Sequence, residues 1–237
     1  MAARRIAVIV GCGSKHDKDG VSELPPTVRF GLGGALSITF AQSRSFDHVL
    51  LLSRRQDLLE LVAAEVKAAA GADSVSTMVC DVTNDASVKA AFDHAASLGS
   101  VECVVFNASA GFPTDPATGA PQGYGAFPAP AAVDPAQLTQ AFDVSVSGCV
   151  RVASNCIPYF LAQGRGSLIV SGATLALRGG AGFACASPLK FALRSYCQVS
   201  THFPTLEATQ GQTASQTPTD ATSKMLPLRG SICMGVD

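Results

Sequence analysis

Charge is scarce in this chain. Lys, Arg, Asp and Glu make up only 15% of its 237 residues and cancel to a formal net charge of −1. A surface without excess positive charge has no electrostatic hold on nucleic acid or on an anionic bilayer, so neither is expected as a partner. Long apolar runs are also missing. None reaches the roughly 20 residues that a membrane-spanning helix needs. Met1–Arg5 followed by Ile6–Val10 has the outline of a signal peptide. The apolar stretch is too short, however, and Lys15–Asp19 stands where a cleavage site would lie. Ile6–Val10 therefore reads as a buried strand, and a cytoplasmic protein is expected. The eight cysteines form no C-x-x-C pair and show no Cys/His spacing that suits zinc. Cys80, Cys103 and Cys149 lie in or beside apolar runs, as reduced core thiols do. His16, His48, His94 and His202 have no partner at ligand spacing, so no metal site is expected.

Apolar residues are plentiful at 47%, enough for the core of one large α/β domain over residues 1–237. Ile6–Val10, His48–Leu52, Ser74–Cys80, Val101–Phe106 and Ser167–Ser171 read as short buried strands bounded by Gly, Asp, Ser or Asn. Between them, Gln56–Ala70 carries Leu58, Leu59, Val62 and Val66 on one helical stripe. Ser87–Leu98 does the same with Val88, Ala91, Phe92 and Ala95. Strand–helix alternation of this kind predicts a Rossmann-type, doubly wound parallel sheet with helices on both faces. Ligands of such sheets bind at the carboxyl ends of the strands, near the switch point. Three segments break the rhythm. Residues 15–30 interrupt the first strand–helix turn, 112–135 form a long Pro/Gly/Ala loop, and 205–229 are Gln/Thr/Ser-rich and read as flexible. Ser231–Val236 is a candidate sixth strand, so the carboxyl end reads as truncated or irregular.

The glycines carry the first chemical signal. Gly11-Cys12-Gly13-Ser14 ends the first strand, and Gly31-Leu32-Gly33-Gly34 opens a helix. Glycines here permit a tight turn and let backbone N–H groups approach a pyrophosphate, with the helix dipole assisting. The alternative is a plain tight connection. A methyltransferase turn is similar to Val10–Ser14, but it would want an acidic residue two places before Gly11, where Ile9 stands.

With these residues the chain resembles the short-chain dehydrogenases/reductases. Their G-x-x-x-G-[IL]-G turn is matched by Gly11, Gly13 and Ser14 followed by Gly31, Leu32 and Gly33. Here 19 residues separate Gly11 from Gly31, where the family has three. Ser53-Arg54 after the second strand resembles the family's NADP signature, a basic residue for the 2′-phosphate in place of the acid that reads NAD. Asp81-Val82 resembles the pair that meets the adenine ring, although Asp81 or Thr83 would also cap a helix. Asn107-Ala108 resembles the family's N-N-A-G turn, with one residue added. Lys190-Phe191-Ala192-Leu193-Arg194 resembles its active-site helix, with Ile169–Thr174 and Leu177–Gly182 before it.

The resemblance implies an NADP(H)-dependent oxidoreductase acting on a small carbonyl or alcohol, with NAD the less favoured cofactor and a homo-oligomer expected. It also implies four catalytic roles. Lys190 fills one. The Tyr place, four residues earlier, is Ala186, which has no proton to give. The Ser place is Ala173, with Thr174 beside it, and the Asn place is Ser145. Neither Thr174 nor Ser145 titrates near neutral pH. Tyr124, Tyr159 and Tyr196 do not stand four before a Lys. Ser187-Pro188 reads as N-cap and first helical residue, which would start the helix after Ala186. A second reading therefore stands: a catalytically impaired relative that binds NADP(H) or a protein partner without turnover.

Overall fold

Ile6, Val8 and Val10 point to one side of the first strand, and Ala7 and Ile9 to the other. All five are buried. That two-sided burial is what a strand central to a parallel sheet requires. The computed structural model describes residues 3–12, 30–110, 129–202 and 229–235. Six strands form one sheet: β1 (Arg5–Val10), β2 (His48–Ser53), β3 (Val75–Val79), β4 (Ser100–Phe106), β5 (Arg165–Ser171) and β6 (Arg229–Gly235). Their order is β3-β2-β1-β4-β5-β6, with every pair parallel. The direction of winding reverses between β1 and β4, and that is where a ligand crevice opens.

The helices are α1 (Gly31–Ser43), α2 (Gln56–Ala70), α3 (Asp85–Leu98), α4 (Pro135–Phe142), α5 (Gly148–Gln163) and α6 (Ala186–His202). On one face Ala7, Ile9, Val49 and Leu51 pack with Ile38 of α1 and Leu59, Val62 and Val66 of α2. On the other, Ile6, Val8, Val104 and Leu168 pack with Phe92 of α3, Val152 and Cys156 of α5 and Leu193 of α6. This is the doubly wound α/β arrangement that the alternation predicts. The stripes expected on Gln56–Ala70 and Ser87–Leu98 are the buried faces of α2 and α3.

Several boundaries move. The third strand is Val75–Val79, because Ala72–Ser74 form a 3-10 turn ahead of it. Helix α3 starts at Asp85, where the Asn84 side chain accepts from the Ser87 amide. Neither Asp81 nor Thr83 is the cap. Pro135 begins α4 behind the Asp134 cap and so is not the end of a loop. Arg229 belongs to β6, which runs Arg229–Gly235 and pairs with β5 along its whole length. The remainder of the 15–30, 112–135 and 205–229 expectations lies outside the described residues, apart from Phe30 and residues 129–134.

Candidate active site

The carboxyl end of β1 turns at Gly11, whose φ of +90° suits glycine. Its amide donates to the Leu52 carbonyl, and Asn107 N donates to the Val10 carbonyl, both at 2.8 Å. A Cβ on Gly11 would overlap the Asn107–Ala108 backbone. The first strand end and the fourth are thus in direct backbone contact at the switch point.

Gly33 closes this cradle from above. A Cβ there would lie 2.9 Å from Cys12 Cα and 3.0 Å from Asn107 Nδ2, and closer still to the Gly11 carbonyl oxygen. The two glycine groups, parted by a long stretch of sequence, therefore meet. Gly31 opens α1 at φ +64°, and Leu32 beside it is 42% exposed. Buried Phe30 fills the space that a side chain at Gly34 would need. Cys12 is buried, its Sγ 3.4 Å from the Leu52 carbonyl, and burial pushes its thiol up to about 12. Gly13 and Ser14 lie outside the described residues.

At the end of β2, Ser53 accepts from the Arg55 amide at 3.4 Å. Arg55 pairs with Asp57, whereas Arg54 is exposed and forms no ion pair among the described residues. After β3, the Asp81 carboxylate accepts from the Thr83 amide at 2.9 Å and the Thr83 hydroxyl at 2.8 Å. Burial alone would raise Asp81. The Thr83 bonds outweigh it, Arg54 and Arg151 add their charge, and the carboxylate ends below its ordinary value. Val82 is buried, and its carbonyl accepts from Arg151 Nη1 at 3.2 Å.

A hydrogen-bonded line crosses from the cradle to α6. Asn107 Nδ2 donates to the Gly11 carbonyl at 3.0 Å. The Ser171 hydroxyl donates to Asn107 Oδ1 at 2.7 Å. Lys190 Nζ donates to the Ser171 carbonyl at 3.0 Å. Ser145 holds the chain that follows Asn107. It is 1% exposed, and its Oγ accepts from the Ala110 amide at 3.0 Å. Asp143–Ser147, which carry it, wind as a π-helix between α4 and α5, a local widening common at functional sites. Arg151 fastens that turn, with Nη1 on Asp143 Oδ1 at 2.8 Å and Nε on Asp85 Oδ1 at 2.9 Å.

Thr174 is exposed and opens a 3-10 turn. Its carbonyl accepts from the Leu177 and Arg178 amides, and it joins none of the bonds just described. Helix α6 begins at Ala186, two residues before Pro188, the first helical residue that the Ser187-Pro188 pair predicts. The Ala186 and Ser187 amides both donate to the Phe183 carbonyl, and the Ser187 hydroxyl turns away to the Leu175 carbonyl at 3.1 Å. Ala186 and Lys190 thus lie one helical turn apart on α6. Sequence reasoning passed over Ser171, Arg151 and Asp143. Ser171 had a usable signal in its place as the polar end of an apolar strand. Arg151 had none toward Asp85 and Val82, which lie more than 60 residues away in sequence.

The fold and the crevice define a Rossmann-type α/β protein with its candidate site at the β1/β4 switch point. The profile of the family described as short chain dehydrogenase matches residues 28–202. The chain belongs to that family. Among solved structures, a short-chain dehydrogenase from Rhodopseudomonas palustris is similar at 22% identity and a TM-score of 0.62, with 83% of this chain and 76% of that one covered. A short-chain dehydrogenase/reductase from Burkholderia xenovorans has 24% identity and a TM-score of 0.63, covering 83% and 67%. A metagenomic short-chain oxidoreductase in complex with NADP has 18% identity and a TM-score of 0.64, covering 83% and 75%. At these identities the likeness is one of fold. The comparison with curated proteins returns no match.

Proposed function

We propose that this chain is an NADP(H)-dependent oxidoreductase that interconverts a carbonyl and an alcohol carbon on a small substrate. The observation that carries the reading is the line Gly11–Asn107–Ser171–Lys190, which joins a glycine cradle to a cation across the switch point. The residues fit a dinucleotide. No side chain can enter between Gly11 and Gly33, so backbone comes close to a pyrophosphate, and the start of α1 adds its dipole. Gly31 and Leu32 belong to the same cradle, and Gly13 and Ser14 are assigned to it by the sequence motif alone. Exposed Arg54, with Ser53 beside it, is placed for a 2′-phosphate, which a guanidinium grips in two-point fashion. Asp81 and Val82 border the adenine end, and Asn107 and Ala108 the middle. Lys190 holds the nicotinamide ribose.

When bound, the cofactor supplies or accepts a hydride. The protein has to position the partner carbon and manage a proton. Thr174 offers an exposed hydroxyl to orient the substrate oxygen, Ser145 in the Asn place supports the site through its buried bond to the Ala110 amide, and the proton comes from water or from the substrate itself, because Ala186 has none. Ala186 is also the observation behind a second reading, in which the chain binds NADP(H) without turnover. NADPH consumption across a carbonyl panel separates the two. The buried thiols among the described residues suit a reducing cytoplasm.

Calorimetry with NADPH, and NADH as control, tests the proposal. The expected result is micromolar binding with NADPH preferred. Arg54→Ala should weaken NADPH roughly ten- to hundredfold, the range for one lost charge-assisted contact, and leave NADH nearly unchanged. Absence of binding by either nucleotide would overturn the reading.

A further inference from the structure

We infer that Ser171 is a positioning residue that ties the glycine cradle to Lys190. The inference deepens the proposed function and rests on it for its cofactor arm. Ser171 ends β5 one step past Val170, which is the last residue in register with β4, opposite Phe106. Its side chain therefore stands beside Asn107, the first residue after β4. Two of its atoms point to different elements. The hydroxyl donates to Asn107 Oδ1, and the backbone carbonyl accepts from Lys190 Nζ on α6.

The direction of the line is fixed by chemistry. The Gly11 carbonyl can only accept, so Asn107 has to present its NH2 group there. Asn107 Oδ1 then faces Ser171 as an acceptor, and the Ser171 hydroxyl has to give its proton to it. The hydroxyl oxygen keeps lone pairs but no proton to donate. Ser171 is thus excluded as an acid and serves to orient. Its bond locks the Asn107 amide, and the locked amide holds Gly11 O, against which Gly33 packs. The same residue carries the carbonyl that anchors Lys190. A shift of the cradle is transmitted to the ammonium through three bonds of 2.7–3.0 Å.

The test compares Ser171→Ala with Ser171→Thr, which keeps the hydroxyl, and uses Asn107→Asp as a second break. An aspartate there sets a carboxylate oxygen against the Gly11 carbonyl. Acylation of Lys190 in the apoprotein is followed by peptide mass spectrometry against exposed Lys67 and Lys89 as internal references. NADPH affinity is measured alongside. Ser171→Ala should speed Lys190 labelling relative to the references and weaken NADPH, each by roughly two- to tenfold, the range of one lost hydrogen bond. Ser171→Thr should restore both. A general loss of structure would also raise Lys190 against these exposed references, and it would be recognised by a lower melting temperature. In that case Asn107→Asp decides. Unchanged relative labelling of Lys190 in Ser171→Ala, or in Asn107→Asp where that variant decides, overturns the inference. If the wild type binds no nucleotide while Lys190 labelling still responds to Ser171→Ala, the coupling stands and the cofactor reading fails.

Discussion

At Gly33 one methyl group is enough to close the crevice. Added there, it meets the Gly11 carbonyl and the Cys12 backbone, and backbone cannot rotate out of the way as a side-chain tip can. Gly33→Ala should therefore lower stability by about 1–3 kcal/mol, the usual cost of overpacking, although alanine is the better helix former. Urea unfolding reads the loss, and NADPH binding should weaken with it. Asp81 gives a pH-dependent prediction. Its carboxylate is held below its ordinary value despite burial, by the Thr83 bonds and by the charges of Arg54 and Arg151. Such a group adds stability that is complete above its unfolded value of about 3.9 and is lost as pH falls through the lower folded value. Thr83→Ala should thus cost stability near neutral pH, with the gap to wild type closing below about pH 4. Urea midpoints from pH 7 to pH 3 check this. These single-residue effects were only partly legible in the sequence. The glycine pattern marked Gly11 and Gly33, because few other residues tolerate such turns. That Asp81 would take Thr83 while Asn84 capped α3 was not readable, since all three are good capping types within four residues.

Among the elements, the segment from α4 through the π turn to α5 is the least regular and the most tightly fastened. Arg151 bonds to Asp85, Val82 and Asp143 at once, and its side chain is only 22% exposed. It pins the loop after β3 to the turn that carries Ser145. Gly148 makes the approach possible, since a Cβ there would stand 2.9 Å from Val82 Cγ2. Arg151→Ala should cost roughly 1–3 kcal/mol, the range for hydrogen bonds to a charged group. It should also speed amide exchange across residues 143–148, read by hydrogen–deuterium exchange. Arg151→Lys should recover only part of either effect, because an ammonium cannot reach all three partners in fork geometry. Strands and helices were easier to foresee than this joint. The apolar runs of β1, β2, β4 and β5 and the stripes of α2 and α3 follow from local periodicity. A π turn whose fastener, Arg151, is itself held by Asp85 and Val82 more than 60 residues away leaves no local trace. The Ser187-Pro188 pair misled for a related reason. Its capping chemistry is sound, but the Leu175 carbonyl competes for the hydroxyl, and α6 starts two residues sooner.

For the molecule as a whole, strand order places the site. The sequence order of the strands alone does not reveal that β1 lies at the centre with β2 and β3 to one side and β4, β5 and β6 to the other. Once it does, Gly11, Arg54, Asp81, Asn107 and Lys190 all come from elements that end or begin along one edge. A ligand spanning that edge binds the folded state alone. NADPH at a hundred times its dissociation constant should therefore add about 2.7 kcal/mol to the unfolding free energy. Thermal melting with and without nucleotide measures that gain as an upward shift in Tm, and Arg54→Ala should shrink it at the same NADPH concentration.

The meeting of Gly33 with Gly11 and Cys12 has a consequence for engineering. Gly33 near the start of α1 packs so closely on the end of β1 that a Cβ there would overlap Gly11 and Cys12. Closing a loop of different length across two touching ends changes stability by only about 0.6 kcal/mol per doubling. A reporter peptide inserted between Ser14 and Phe30, with Gly13 and Ser14 kept, would join two elements that meet at the cradle, and the protein could be built into a sensor whose signal follows nucleotide occupancy.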